Sequence, residues 1–392
     1  MGSKELKAMN RRLLHQQLLT KKTSGPRSAV KVAKAACGIN SQDFLESLSS
    51  FWARAEGFAN SDFESEFRPR GGVVRTWTVR GTVHTVAAED YYLHVFGSGR
   101  RRTLLAYDRW AKKLGIPPLG FRTDSLYRPL LDTMKGRKVT TGEIEQFMMD
   151  TLAKLGLRSR RRLLRGWSNK PTYGPSWTGI HEMAYLGLLV SAGRRGAESL
   201  WMGASDWLGS RRKVPDPKDC PLALVTKYIQ RYGPVTRSDI AKWNDRLFSG
   251  EIDEIIESLG TDLVQSHPTG SKETFYAFDD GSDFPNPPAA VILPEFDSMM
   301  MAYSDRSRFL SPHNLKQVSR PQGIISRTVL LDGMVSATWG RKKQGVTTKI
   351  VVAPFRPLEQ RERRSVEEKF SEYGDYLGTG VSVDFQSPLS GK

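Results

Sequence analysis

Residues 76–85 read TWTVRGTVHT, and the way this alternation resolves decides the fold. Thr76, Thr78, Arg80, Thr82 and His84 share one parity, whereas Trp77, Val79, Gly81 and Val83 share the other. Successive side chains of a strand point to opposite faces, so one continuous strand would set an arginine, a threonine and a histidine along a single edge. Such a strand would exceed the usual five or six residues or so, and the alternative is a hairpin turning near Arg80-Gly81. A tight two-residue turn there sets Trp77 opposite His84 and breaks up the polar edge.

The segment follows a series of short helices. Residues 4–20 carry Leu6, Met9, Leu13, Leu14 and Leu18 at helical spacing, and a helix restarts at Pro26. After the loop GINSQD (38–43), Leu45, Leu48, Phe51 and Trp52 share one face of a third helix, and a polar helix spans about 60–69. Short helices followed by a β-ribbon are the order of a winged helix-turn-helix. The pattern recurs: GRKVTTGEIEQFMMDTL (136–152) and YGPVTRSDIAKWN (232–244) both run Val-Thr, two residues, then an acid and Ile. In each the threonine can cap a helix, with Glu143 or Asp239 in the first turn where the helix dipole favours an acid. HEMAYLGLLVSAG and IDEIIESLGTDLVQ supply the next helix of each copy.

Pro- and charge-rich stretches at 210–221 and 279–288 are candidate boundaries. Beyond the second, strand-like runs dominate, Asp332-Gly333 signals a hairpin, and a helix spans 357–377. The expected class is therefore α+β: three tandem winged helix-turn-helix units with a C-terminal β-barrel-like module, forming a concave basic channel. The expected segments are 1–125 with the GINSQD loop, 126–212, 213–283 and a β-rich 284–392.

The 392 residues carry 59 Lys and Arg against 42 Asp and Glu, a formal charge of +17 that asks for an anionic partner. The bias is local: the first forty residues hold nine Lys or Arg and one acid, Glu5, and GRRR (99–102) and RSRRRLLR (158–165) repeat it. Double-stranded DNA fits best, because each neutralised phosphate releases counterions; solvated basic helix faces are the bland reading. Cys37 and Cys220 are the only cysteines, which excludes a disulfide framework and a cysteine-ligated zinc or iron–sulfur centre. The six histidines lack metal spacing, so neither metal nor cofactor is expected. With no run of about eighteen apolar residues, the expectation is a cytoplasmic, nucleoid-associated monomer with no membrane partner.

The stretch VVRTWTVRGTVHTVAAED resembles the Arg-Gly-Thr-x-His signature of the AlkZ/YcaQ-like winged-helix DNA glycosylases. YGPVTRSDIAKWN, LPEFDSMMMAYSDRSRFL, LLDGMVSATW and VVAPFRPL resemble later blocks of that family in the same order. The resemblance spans about residues 10–385 and implies three tandem winged helices, a C-terminal β-barrel and a monofunctional glycosylase acting on alkylated or bulky-adduct, even crosslinked, nucleobases. It carries the family's catalytic pair, usually Gln-x-Gln, onto Asn40 and Gln42: the second Gln is kept, the first is shortened to Asn, and Ser41 stands between.

Such an enzyme adds water to the anomeric carbon as the base leaves. An N3- or N7-alkylated purine already carries positive charge and departs readily, so a neutral amide that orients the water suffices. Gln42 is expected to do this with Asn40 in support; alternatively Asn40, Ser41 and Asp43 are simply caps and turn formers. Arg80, Thr82 and His84 are candidate DNA contacts from a wing, unless Arg80 and His84 pair with acids such as Glu89 and Asp90. Arg160, Arg161, Arg162 and Arg165 are candidates for a channel rim, and Trp52, Trp77 and Trp167 could stack on DNA or fill cores. The rival to an enzyme is a non-catalytic winged-helix DNA-binding protein or regulator.

Overall fold

A computed structural model describes residues 3–113, 117–154, 175–209, 213–279, 281 and 283–388. The chain forms two compact units: Met1–Glu66, Val225–Trp243 and Ile252–Lys392 make the first, Phe67–Leu224 and Asn244–Glu251 the second. Among the described residues, no helix is long and apolar enough to cross a membrane.

In the second unit, TWTVRGTVHT is a hairpin. Strands Val73–Trp77 and Val83–Ala87 pair antiparallel, with Thr76 opposite His84 and Trp77 opposite Val83. The turn is thus longer than a two-residue one and shifts the register by one residue. Neighbouring strands then run from Val83–Ala87 to Val73–Trp77, Leu189–Arg195, Glu198–Gly203 and Val139–Thr140. The hairpin is buried on both sides. Trp77 and Val83 lie in one core with Ile144 and Met183, while Val74 and Val86 lie in another with Tyr91 and Trp207. Trp77 stacks on Trp201 at 5.4 Å between ring centroids, so its payload is core packing. Helix Pro175–Tyr185 stops sooner than its apolar run suggests: Gly187 takes φ +76°, and the following apolar residues become strand Leu189–Arg195.

Two stretches share one element order. Val139–Thr140 leads into helix Thr141–Lys154, and Val235–Thr236 leads into helix Arg237–Trp243. In each the two-residue strand pairs antiparallel with the second strand of a later hairpin, Glu198–Gly203 or Phe275–Phe278. The helix starts match as well. Thr140 Oγ1 accepts the Glu143 N–H at 3.1 Å while Glu143 Oε2 accepts the Thr140 N–H at 2.7 Å. Thr236 and Asp239 exchange the same bonds at 3.1 and 2.9 Å. These reciprocal capping boxes satisfy two otherwise orphaned donors each.

In the first unit, a five-stranded sheet runs Ala290–Leu293, Thr328–Leu331, Met334–Gln344, Thr347–Pro354 and Gly380–Phe385, with only the last pair parallel. Asp332 (φ 48°) and Gly333 (φ 81°) make the hairpin turn, both in the left-handed region that a type I′ turn needs. Helix Gln360–Leu377 covers one face, its Phe370 ring edge-on to Trp339 at 5.1 Å. The expected barrel-like module is corrected: the outer strands do not pair, and the sheet is open. Five strands are fewer than the roughly eight that close around a side-chain-filled interior, and the helix buries the apolar face instead.

Candidate active-site loop and the Arg-Gly-Thr-x-His turn

The loop GINSQD precedes helix Phe44–Arg54 in the first unit. It is tightly hydrogen-bonded except at one side chain. The backbone N–H of Asn40 donates to Ser298 Oγ at 2.9 Å, and the Ser298 hydroxyl donates to Gly38 O at 3.1 Å. Ser41 Oγ donates to Ile39 O at 3.1 Å, and Asn40 Oδ1 accepts the Gln42 N–H at 3.2 Å. Asp43 caps the helix by accepting from Leu45 N and Glu46 N. Asn40 and Ser41 are buried at 5% and 0%, whereas Gln42 is exposed. The turn-forming and capping chemistry of Asn40 and Asp43 is therefore real, and it leaves the Gln42 amide facing solvent.

The helix behind the loop is fastened at both ends. Near its start, buried Glu46 accepts from Arg327 Nη2 at 2.7 Å and Arg341 Nη2 at 2.9 Å. At its end, Arg54 meets Asp297 in a two-pronged pair, both N–O distances 2.8 Å and both side chains 0% exposed. Breaking a buried pair by removing one partner typically costs about 3–5 kcal/mol, so this end is firmly held. The sequence reading assigned no role to Glu46, Asp297, Ser298, Arg327 or Arg341. Asp-Ser ahead of an apolar run is a helix-start signal, and Asp297 does cap helix Ser298–Met301 by accepting from Met299 N at 3.0 Å. That Ser298 turns back to a loop 258 residues away has no local signal.

In the second unit, Arg80 and Gly81 occupy the turn of the hairpin with φ of 61° and 66°. A side chain at Gly81 would meet Arg246 Nη2 at 3.0 Å in a backbone region that L-residues avoid, which explains the glycine. His84 is buried at 2% and engaged at both ring nitrogens. Arg80 Nη2 lies 3.0 Å from Nε2, and Thr82 O and Thr78 Oγ1 lie 3.1 and 2.9 Å from Nδ1. A guanidinium only donates and a carbonyl only accepts, so the ring is the neutral Nδ1–H tautomer with its Nε2 lone pair toward Arg80. Burial first, and the Arg80 charge second, hold its pKa well below the usual histidine range. Arg80 and Thr82 remain partly exposed, and the Thr82 hydroxyl donates within the turn to Val79 O at 3.3 Å. His84 thus braces Arg80 from beneath and does not itself reach the surface.

Other expected sites divide in two. Arg160, Arg161, Arg162, Arg165 and Trp167 lie outside the described residues. The GRRR run opens helix Arg100–Lys113, where Arg100 lies 4.5 Å from the Phe96 ring centre and Arg102 Nη1 donates to Asp245 O at 3.2 Å. Trp52 is buried at 7%. Among the described residues, no group of three or more His, Cys, Asp or Glu side chains converges as metal ligands do.

Residues 33–376 match the family described as DNA glycosylase AlkZ-like. The chain is 23% identical over 357 residues to the interstrand DNA cross-link repair glycosylase of Streptomyces sahachiroi, covering 87% of this chain and 89% of that protein. Its fold is similar to the solved structure of Streptomyces sahachiroi DNA glycosylase AlkZ, with a TM-score of 0.80 at 19% identity over 97% of this chain and 99% of that one. A family match over most of the chain, with a fold to agree, establishes kinship: the protein belongs to the AlkZ-like DNA glycosylase family.

Proposed function

We propose that the protein is a monofunctional DNA glycosylase that hydrolyses the N-glycosidic bond of alkylated or bulky-adduct nucleobases, crosslinked ones included, in double-stranded DNA. The observation that carries this reading is the exposed Gln42 amide next to the buried, hydrogen-bonded residues 38–41 of its loop. In the reaction, water forms the new C1′–O bond as the bond to the base breaks. The departing cationic purine takes the bonding pair and leaves neutral, and the water's proton passes to solvent. Gln42 accepts a hydrogen bond from the water and so aims it, with Asn40 in support; positioning, not strong base catalysis, is the contribution asked of them.

DNA is held by Arg80 and Thr82 at the hairpin turn, with His84 acting through Arg80, and by the run Arg160, Arg161, Arg162 and Arg165. The net charge of +17 supports a phosphate-binding surface. Three tandem winged-helix units, at 1–125, 126–212 and 213–283, with a β-rich 284–392, remain the architecture we infer. Support comes from the recurrence of helix, two-residue strand, helices and hairpin, with matched capping boxes in two copies. The protein acts as a monomer in the cytoplasm, at the nucleoid.

The test is to incubate the pure protein with duplexes carrying N7-methylguanine, N3-methyladenine or a nitrogen-mustard crosslink and to measure released base and abasic sites. Release should fall by about 100-fold or more in Gln42→Ala. Salt-dependent binding with no base released from any lesion would leave the alternative, a non-catalytic DNA-binding protein or regulator, which the Asn40-Ser41-Gln42 departure from Gln-x-Gln leaves open.

A further inference from the structure

We infer that Ser298 is a positioning residue for the Gln42 loop, and that Asn40 serves with it as a brace and not as a shortened second catalytic amide. The inference rests on the glycosylase reading above. Ser298 uses its one hydroxyl twice, accepting the Asn40 N–H at 2.9 Å and donating to Gly38 O at 3.1 Å, and it is 4% exposed. It therefore clamps the backbone on both sides of Ile39. An alanine there strands a buried N–H and a buried C=O, and the loop has a reason to move.

The clamp is itself anchored. Asp297 accepts at Oδ1 from Met299 N and Arg54 Nη2, and at Oδ2 from Arg54 Nη1 and from Ser50 Oγ at 3.0 Å. One dipeptide, Asp297-Ser298, thus grips the last residue of helix Phe44–Arg54 and the loop ahead of its first. The loop cannot slide along the helix without breaking one grip.

Asn40 completes the brace. Its Oδ1 reaches the N–H two residues on, at 3.2 Å, the bond of an Asx turn. A glutamine carries its carboxamide one methylene further and cannot close that ring in the same way. The departure from Gln-x-Gln at position 40 is then the substitution that shapes the turn presenting Gln42, and restoring Gln there should harm the enzyme.

Single-turnover release of N7-methylguanine from a duplex, with DNA affinity measured alongside, tests the idea. A displacement near 1 Å costs on the order of 100-fold in rate, so Ser298→Ala should slow release by about ten- to a hundredfold while affinity stays within about twofold. Ser298→Thr, which keeps the hydroxyl, should recover most of the loss. Asn40→Gln should also slow release. Wild-type rates in Ser298→Ala, or faster release in Asn40→Gln, would overturn the inference. Amide exchange at Asn40, faster in Ser298→Ala, reads the brace without activity. A wild-type protein that releases no base would sink the glycosylase reading, and unchanged exchange at Asn40 would sink the brace on its own.

Discussion

The two capping boxes share their bonding and differ in almost everything else. At Thr140–Glu143 the acid stands at the surface beside Arg137, 3.6 Å away, and its bonds from Thr140 hold its pKa below the usual glutamate range. At Thr236–Asp239 the acid is buried at 4% and its carboxylate accepts a second bond, from Ser304 N at 2.8 Å, yet burial pushes its pKa up despite those donors. The same Val-Thr-x-x-acid spacing thus yields one carboxylate stabilised by its bonds and one whose bonds only partly offset desolvation. A motif fixes which atoms meet; depth decides what the meeting is worth.

The largest effect should come from deleting the deeper acid. Asp239→Ala leaves the buried Thr236 N–H and the Ser304 N–H, on an exposed residue, without their acceptor and should cost about 2–4 kcal/mol in urea unfolding, at roughly 1–3 kcal/mol for the buried group and about 1 kcal/mol for the other. Glu143→Ala exposes its freed donor to water and should cost a small fraction of that; equal losses would break the comparison. Next come the caps: Thr236→Val should cost about 1–2 kcal/mol and Thr140→Val about 1 kcal/mol or less.

The smallest effect, and the sharpest, is the sign of the pH dependence. Asp239, with its folded pKa raised, makes the protein gain stability relative to Asp239→Asn as the pH falls from the folded pKa toward the unfolded one. Glu143, with its folded pKa lowered, contributes stability above its unfolded pKa that is lost as the pH falls through the folded one. Urea midpoints from about pH 7 to about pH 3, bracketing the carboxylate range, should therefore slope in opposite directions when each variant is subtracted from wild type. Slopes of one sign would show that burial does not set the difference.

Local chemistry was legible and long-range chemistry was not. Both threonine caps and the Asp332-Gly333 turn follow from residues three apart or fewer, and the structure contains them. The Asn40–Gln42 loop was found through a resemblance, with its turn-forming role readable from residue types. By contrast Asp239 takes its second carboxylate bond from Ser304, which lies 65 residues on, and Ser298 is farther still from Asn40. The hairpin at Arg80 departs by one residue from the register of a two-residue turn because an arginine at positive φ extends the loop, and sequence rules reserve that region mainly for glycine. The burial of His84 was not legible because alternation cannot tell an exposed edge from a strand buried on both faces.

The way the chain divides also sets an order of assembly. Nearly all of the second unit, Phe67–Leu224, is synthesised as one uninterrupted stretch, whereas the first unit draws on Met1–Glu66 and again on residues after Ile252. Asn40 and Gln42 therefore leave the ribosome early and must wait for Ser298, and the five-stranded sheet must wait for Gly380–Phe385, which joins it in parallel. At roughly 5–20 residues per second, the 258 residues between Asn40 and Ser298 take tens of seconds to make. Throughout that interval the loop lacks the hydroxyl that clamps it, so the Asn40–Gln42 loop is among the last features of the protein to acquire its shape.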